Sequence, residues 1–266
     1  MPKHRSVSQL TSYAQCGESY RLSKVAGAPQ APAAWFAQGI AVHEAIEKWE
    51  RTYREHSPET AIAWFEEAFD REAAKMFEAE PDINAWLCPG RTKPETDLAN
   101  RIDRGRVQVS GYIEQALASK LQVLELLPDE PASEVPFTLD LDGLTVIGYI
   151  DLILVDPWGR VLVRDIKTGS KRPTNPMQLA VYRQAALDLT GEVVEWGDYY
   201  MAKDNKALDP ISLRPFTRDM VTRWFKQMDS SERAGIYLPN PGEHCNTCPV
   251  RRFCSVMGTD RLSFRP

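Results

Sequence analysis

An α/β core carrying helical insertions is the fold this sequence predicts, and three observations lead to it. Apolar residues recur at helical spacing through much of the first 127 residues. After Pro128 the period changes to alternation, with a hairpin turn at Asp142-Gly143. A helix, a strand and another helix then follow, before a tail that holds three of the five cysteines. With 266 residues, 43% of them hydrophobic, the chain can build one well-packed domain. We expect that domain to span 1–266, with a helical part over 1–127, a core over 128–236 and a cysteine-rich tail over 237–266.

Ser8 is a candidate cap for a short helix carrying Leu10 and Tyr13, and Cys16 lies in the same stretch. Residues 24–34 are rich in Ala and Pro and read as loop. A helix is expected over 38–53, with Ile40, Ile46 and Trp49 apolar and His43 and Glu47 on a shared face. Pro58 suits the first turn of another helix, whose stripe of Ile62, Phe65, Phe69 and Phe77 fades by Glu80. Residues 81–98 read as a loop, and 101–126 as a third helix anchored by Val107, Tyr112, Leu117, Leu121 and Leu124.

Three strands then form a meander, over 134–141, 144–155 and 160–167. Gly169 and Pro173 end it. A helix over 176–189, stopped by Gly191, places Gln178 and Tyr182 four apart on one face. A strand over 193–201, another over 211–213 and a helix over 216–236 complete the core, the last with Met220, Trp224 and Met228 inward.

Charged residues make up 26% of the chain and the net charge is -5, which argues against a general nucleic-acid coat protein. It does not argue against a site built on carboxylates, since bound cations offset their charge. No run of 18 apolar residues is present, so no membrane partner is expected. The opening MPKHRSVSQL lacks the apolar segment of a secretion signal, which makes a cytoplasmic location the expectation.

The chemistry-bearing residues collect at the strand ends. Asp165 and Lys167 are two apart in VLVRDIKTG, so on a strand they share a face while Ile166 points into a core. Asp151 ends the apolar stretch before it. Two carboxylates can hold Mg²⁺, and an ammonium beside them can steady a phosphate or orient an attacking water. These residues suit a metal-dependent nuclease, against the plainer reading of a surface ion pair. His43 adds an imidazole suited to Mn²⁺. Gly39 and Gly148 allow close approach near His43 and Asp151, and Gln178 and Tyr182 either serve the phosphate and Lys167 or simply pack.

Cys245, Cys248 and Cys254 follow a C-x2-C-x5-C spacing that points to Zn²⁺ or an iron–sulfur centre. The fourth ligand would be His244, Cys88 or Cys16. Direct adjacency to Cys245 disfavours His244, and Cys16 would clip the N-terminus to the tail.

Taken in order, these motifs resemble the PD-(D/E)XK nuclease superfamily, in its RecB-like and Cas4-like branch with a four-cysteine iron–sulfur cluster. The resemblance rests on GIAVHEAIE at 39–47, Asp151 in GYIDLI, Asp165 and Lys167 in RDIKTG, Gln178 and Tyr182, and Cys16 with Cys245, Cys248 and Cys254. It implies a restriction-endonuclease-like core, a mixed sheet flanked by helices with a helical insertion and an iron–sulfur-bound C-terminal tail. It also implies that His43, Asp151, Asp165 and the Ile166 carbonyl hold Mg²⁺ or Mn²⁺, and that Lys167 is the general catalytic residue. Gln178 and Tyr182 would place DNA and the lysine. Glu47 would support the ligands, Glu134 is a further acidic candidate, and the cysteines would hold [4Fe-4S].

The implied activity is hydrolysis of DNA to 5′-phosphate ends in replication, recombination or repair, in a bacterial or phage-infected cell. An exonuclease acting on single strands or free ends is expected, with Arg91, Lys93, Arg101, Arg104 and Arg106 as candidate backbone contacts. No G-x-x-x-x-G-K-[ST] loop is present, so any helicase or recombination partner would be a separate protein. The rival classes are a non-catalytic DNA-binding adaptor and a redox iron–sulfur protein.

Overall fold

A computed structural model describes residues 4–260, so 1–3 and 261–266 of the expected domain lie outside the described residues. The chain starts with a short strand, β1 (Arg5–Ser6), and helix α1 (Val7–Gln15). Ser6, not Ser8, caps α1. The Gln9 N–H donates to the Ser6 hydroxyl at 3.2 Å, and the Ser6 N–H donates to the Gln9 side chain at 3.0 Å. This reciprocal box satisfies two otherwise orphaned amides. Ser6→Ala is expected to cost about 1 kcal/mol, read as a lower denaturant midpoint at unchanged slope.

Helix α2 (Gly17–Tyr20) runs into a π-helical turn, Arg21–Val25. Helices α3 (Ala34–Arg51), α4 (Pro58–Ala79) and α5 (Pro94–Ala118) follow, with Pro58 in the first turn of α4 as its sequence requires. The third expected helix stops early, at Ala118. Its remaining apolar residues enter β2 (Gln122–Val123) and β3 (Glu125–Leu127). There the Leu124 N–H donates to the Ile153 carbonyl, so sheet pairing overrides helical spacing.

Strand β4 (Glu130–Pro131) pairs with β3, and β5 (Ser133–Asp140), β6 (Thr145–Val155) and β7 (Val161–Lys167) form the antiparallel meander. Helix α6 (Met177–Thr190) crosses over to β8 (Trp196–Met201), which runs parallel to β7. Two short strands, β9 (Lys206–Ala207) and β10 (Ile211–Ser212), edge the sheet before α7 (Arg218–Arg233). The buried stripe of α7 is Val221, Phe225 and Met228; Met220 and Trp224 are only half-buried.

The result is a mixed sheet covered on both faces. One apolar cluster joins Val7 and Leu10 of α1, Leu179 and Ala185 of α6 and Phe225 of α7 to Phe137 and Val163 of the sheet. The other joins Ala41, Phe65 and Tyr112 of the three-helix layer to Leu152, Ile166 and Tyr200. The opposed burial of Ile166 and Val163 on the same strand is what period-2 patterning demands.

The C-terminal tail departs from expectation. It folds as two single 3₁₀ turns, Glu243–Thr247 and Arg251–Phe253, and it is not an iron–sulfur-bound element. An apolar cluster of Leu22, Ala28, Val250 and Phe253 ties it to the N-terminal segment. Backbone bonds from Gly17 N–H to the Leu238 carbonyl and from Ala31 N–H to the Pro249 carbonyl complete the join.

Candidate active site

The site forms where strand pairing fails. The β5–β6 ladder pairs Ser133 with Leu152 and Val135 with Ile150 but skips the row between, where Glu134 faces Asp151. Glu134 has φ 47°, a left-handed conformation unusual for a side chain of this size. The β6–β7 ladder ends at Leu152 and Arg164, one row before Asp151 would meet Asp165. Three carboxylates from three adjacent strands thus occupy one row. Asp151 Oδ2 accepts the Ile166 N–H at 2.8 Å in place of a strand carbonyl.

His43 reaches this row from α3. Its Nδ1 lies 3.0 Å from Glu134 Oε1 and 3.6 Å from Asp151 Oδ2, and its Nε2 lies 3.1 Å from the Ile166 carbonyl oxygen. One turn earlier, a Cβ on Gly39 would lie 3.2 Å from Thr168 Oγ1, so the glycine lets α3 close on the end of β7. One ligand atom each from His43, Glu134 and Asp151 lie within 4.8 Å of one another. Two hard oxygens and an imidazole nitrogen suit a divalent cation such as Mn²⁺ or Mg²⁺.

The electrostatics fit the same reading. Burial, reinforced by the charge of Asp151, raises the Asp165 carboxyl to about 7 against the pull of Lys167. Burial likewise raises Asp151, with Glu134 adding to it and His43 opposing it. Burial works to lower the His43 imidazole, yet Asp151 and Glu134 hold it up at about 9. The row carries more negative charge than its own cations offset, the condition a bound divalent ion relieves.

Beside the row runs a hydrogen-bonded chain. Lys167 Nζ lies 2.7 Å from Asp165 Oδ2 and donates to Gln178 Oε1 at 2.7 Å. Gln178 Nε2 donates to the Tyr182 hydroxyl at 2.8 Å, and that hydroxyl donates to Asp151 Oδ1 at 3.1 Å. Two residues one turn apart on α6 therefore link the ammonium of β7 to the carboxylate of β6. Tyr182→Phe breaks the chain at one atom, and we expect it to lower kcat about tenfold, the worth of one hydrogen bond to a charged group.

Structure thus brings together every candidate of the catalytic row: His43, Asp151, Asp165, Ile166, Lys167, Gln178 and Tyr182. It draws Glu134 closer than the sequence reading did. The signal was available. A two-residue hairpin at Asp142-Gly143 pairs Leu141 with Leu144, and counting back along that register sets Glu134 across from Asp151. Glu47 is half-buried and bonded to Arg51 at 2.8 Å. Of the five candidate backbone contacts, Arg101 is committed to Asp97 and Gln38, and Arg106 to Glu66 and Asp103. Arg91, Lys93 and Arg104 are exposed.

The cysteine expectation is corrected, for both [4Fe-4S] and Zn²⁺. Cys16, Cys245, Cys248 and Cys254 border one small cavity, but all are free thiols. Among the described residues no three sulfurs lie within 4.8 Å of one another, as ligands of one Zn²⁺ must. Each sulfur instead has a polar neighbour: the N–H groups of Asn240, Gly242 and Met257 donate to Cys16, Cys245 and Cys254, and the Ser19 hydroxyl lies 3.5 Å from Cys248 Sγ. With no cluster of four ligating cysteines, the iron–sulfur branch of the resemblance falls away, and its redox reading with it. No helix among the described residues is long and apolar enough to cross a membrane.

Residues 4–255 match the family model of the PD-(D/E)XK nuclease superfamily. The chain is 31% identical over 280 residues to the Gene 69 protein of Mycobacterium phage L5, across 95% of this chain and 96% of that protein. It is 33% identical over 263 residues to the Gene 69 protein of Mycobacterium phage D29, with the same coverage.

Proposed function

The chain belongs to the PD-(D/E)XK nuclease superfamily and is a metal-dependent nuclease; on that premise we propose that it is an exonuclease of DNA, acting on single strands or free ends. The observation that carries the reading is the Lys167 ammonium, fixed between Asp165 and Gln178 beside the row of carboxylates. We assign Mg²⁺ or Mn²⁺ to His43, Asp151, Asp165 and the Ile166 carbonyl, with Glu134 as a further ligand. When bound, such an ion supplies a water of lowered pKa and offsets the charge of the phosphate oxygens.

The chain's own residues do the rest. Lys167 is held where its charge can meet the charge that develops on the phosphate. Gln178 Oε1 accepts a hydrogen bond from it and so fixes its direction, while Tyr182 accepts from Gln178 and fixes that amide in turn. Without an ion, protonated His43 bridges Glu134 and the Ile166 carbonyl and so spaces two oxygens at once; to ligate the ion it would give up one of those two protons and turn that nitrogen to the metal. Water adds to phosphorus, the 3′ oxygen leaves with a proton, and a 5′-phosphate remains. Glu134 and Asp151 of the row line an open groove with Ile40, His43, Glu47 and Tyr149, a form that suits an extended strand. We read residues 1–266 as one nuclease unit, serving replication, recombination or repair in the cytoplasm of an infected bacterium, alone or with a separate helicase. The two phage relatives support that setting.

The test is cleavage of DNA labelled separately at its 5′ and 3′ ends, single- and double-stranded, with Mn²⁺ or Mg²⁺ and with Asp165→Ala alongside. Stepwise loss of one label from single strands, absent in the variant, is the expected result. Internal fragments of a circular single strand would replace the exonuclease by an endonuclease.

A further inference from the structure

The groove has a floor and walls of opposite character. Its floor holds Glu134 and Asp151 of the acidic row, and its walls include two exposed apolar side chains. Tyr149 stands two residues before Asp151 on β6, and both side chains open into the same groove. It is 60% exposed, against full burial of Ile150 beside it. Across the site, α3 presents Phe36 and Ile40, 40% and 48% exposed, on the face that carries His43 and Glu47 one and two turns further on. Tyr149 and Ile40 both line the groove with Asp151 and Glu134.

A phosphodiester alone gives no reason for such walls, since its oxygens are satisfied by the cation and the ammonium. Exposed apolar surface beside a polar floor suits a ligand that alternates flat apolar faces with charged links. Unpaired nucleotides have that form. In a duplex the faces of the bases are covered by their neighbours, and only a strand whose bases are unstacked can offer them. Tyr149 supplies a π face on a rigid central strand, where two side-chain torsions are all that binding must fix.

We propose that Tyr149 is a base-stacking residue, which with Ile40 opposite grips an unpaired nucleotide next to the acidic row and makes single-stranded DNA the substrate selected. The inference rests on the nuclease reading above and specifies how its substrate is chosen. Because Tyr149 is 60% exposed, its side chain can be replaced without unmaking the row.

Binding and cleavage test it separately. Fluorescence anisotropy would follow a labelled oligothymidylate and a strand of the same length built from base-free tetrahydrofuran phosphodiesters, with Ca²⁺ present to slow turnover. Tyr149→Ala is expected to weaken binding of oligothymidylate at least about fivefold, the lower end for loss of one base–aromatic stack. It should leave the base-free strand unchanged. Tyr149→Phe and Tyr149→Trp should bind as the wild type does, since the ring and not the hydroxyl is used. With Mn²⁺, Tyr149→Ala should raise KM for oligothymidylate and spare kcat. Equal weakening on both polymers, undiminished binding by Tyr149→Ala, or a loss in Tyr149→Phe as large as in Tyr149→Ala would each overturn the stacking role. A wild-type protein that binds oligothymidylate through Tyr149 but cuts nothing would overturn the nuclease reading and leave the stacking role standing.

Discussion

Lys167→Ala is expected to lower kcat for DNA cleavage by about 100- to 1000-fold, the usual cost of removing one preorganised charge from a site where negative charge develops. The side chain is only 30% exposed, lies 2.7 Å from Asp165 Oδ2, and donates to Gln178 at 2.7 Å. Its Nζ also lies 5.9 Å from the centre of the Tyr199 ring. Little reorganisation is then needed when the phosphate arrives. Lys167→Arg is not expected to restore the rate, because a planar fork cannot meet Asp165 and Gln178 in the geometry of a compact ammonium. The discriminating readout is single-turnover cleavage at saturating Mn²⁺ beside Mn²⁺ affinity. If Lys167 serves the phosphate, the rate falls while affinity for the ion holds or rises, since a nearby positive charge has gone. A loss of rate that tracks a loss of ion binding would make the lysine a structural partner of Asp165.

Without divalent ions, the folded protein is expected to lose stability as pH rises from about 5 to about 9, above the ordinary carboxylate range, and added Mn²⁺ should reverse the trend. The sign follows from two groups. Asp165 is raised to about 7 by burial and by Asp151, so between the ordinary carboxylate range and about 7 the folded chain keeps a proton that the unfolded chain has lost. Stability present below that window therefore falls across it. His43 is held at about 9 by Asp151 and Glu134 despite its burial, so its favourable pairing is present below the ordinary imidazole range and is lost as pH passes through about 9. The two effects act in the same direction. A divalent ion displaces these protons and binds the folded state selectively, so its stabilising effect should grow over the same range. Thermal unfolding with chelator and with Mn²⁺, at pH 5, 7 and 8.5, reads this directly. Asp165→Asn should flatten the chelator curve between pH 5 and 7. A chelated wild type that is most stable at pH 8.5 would show that the carboxylates are not crowded as described.

Much of the row was legible because its residues sit on regular elements with known periods. Alternation put Asp165 and Lys167 on one face and Ile166 on the other, and a helical step of four put Gln178 beside Tyr182. The places where reading failed were those where local spacing competes with tertiary pairing. Leu121 and Leu124 continue the helical stripe of α5, yet the free edge of β6 draws that segment into the sheet. Ser6 and Ser8 are equally good caps by type, and the start of β1 pairing decides for Ser6.

By itself, the sequence determined the three-strand meander with its hairpin at Asp142-Gly143, the helix and strand that follow it, and the residue types that can bind a cation and a phosphate. Those depend on neighbours within about a turn or a strand, where backbone geometry is nearly fixed. Tertiary structure alone decided which side chains converge. Glu134 became part of the His43 and Asp151 group because two ladders break at one row. Tyr149 became a wall of the groove because β6 is central and its outer face is left open there. The cysteines show the limit from the other side. C-x2-C-x5-C fixes distance along the chain, but ligation needs sulfurs to meet in space, and the packing of Leu22, Ala28, Val250 and Phe253 sets that instead.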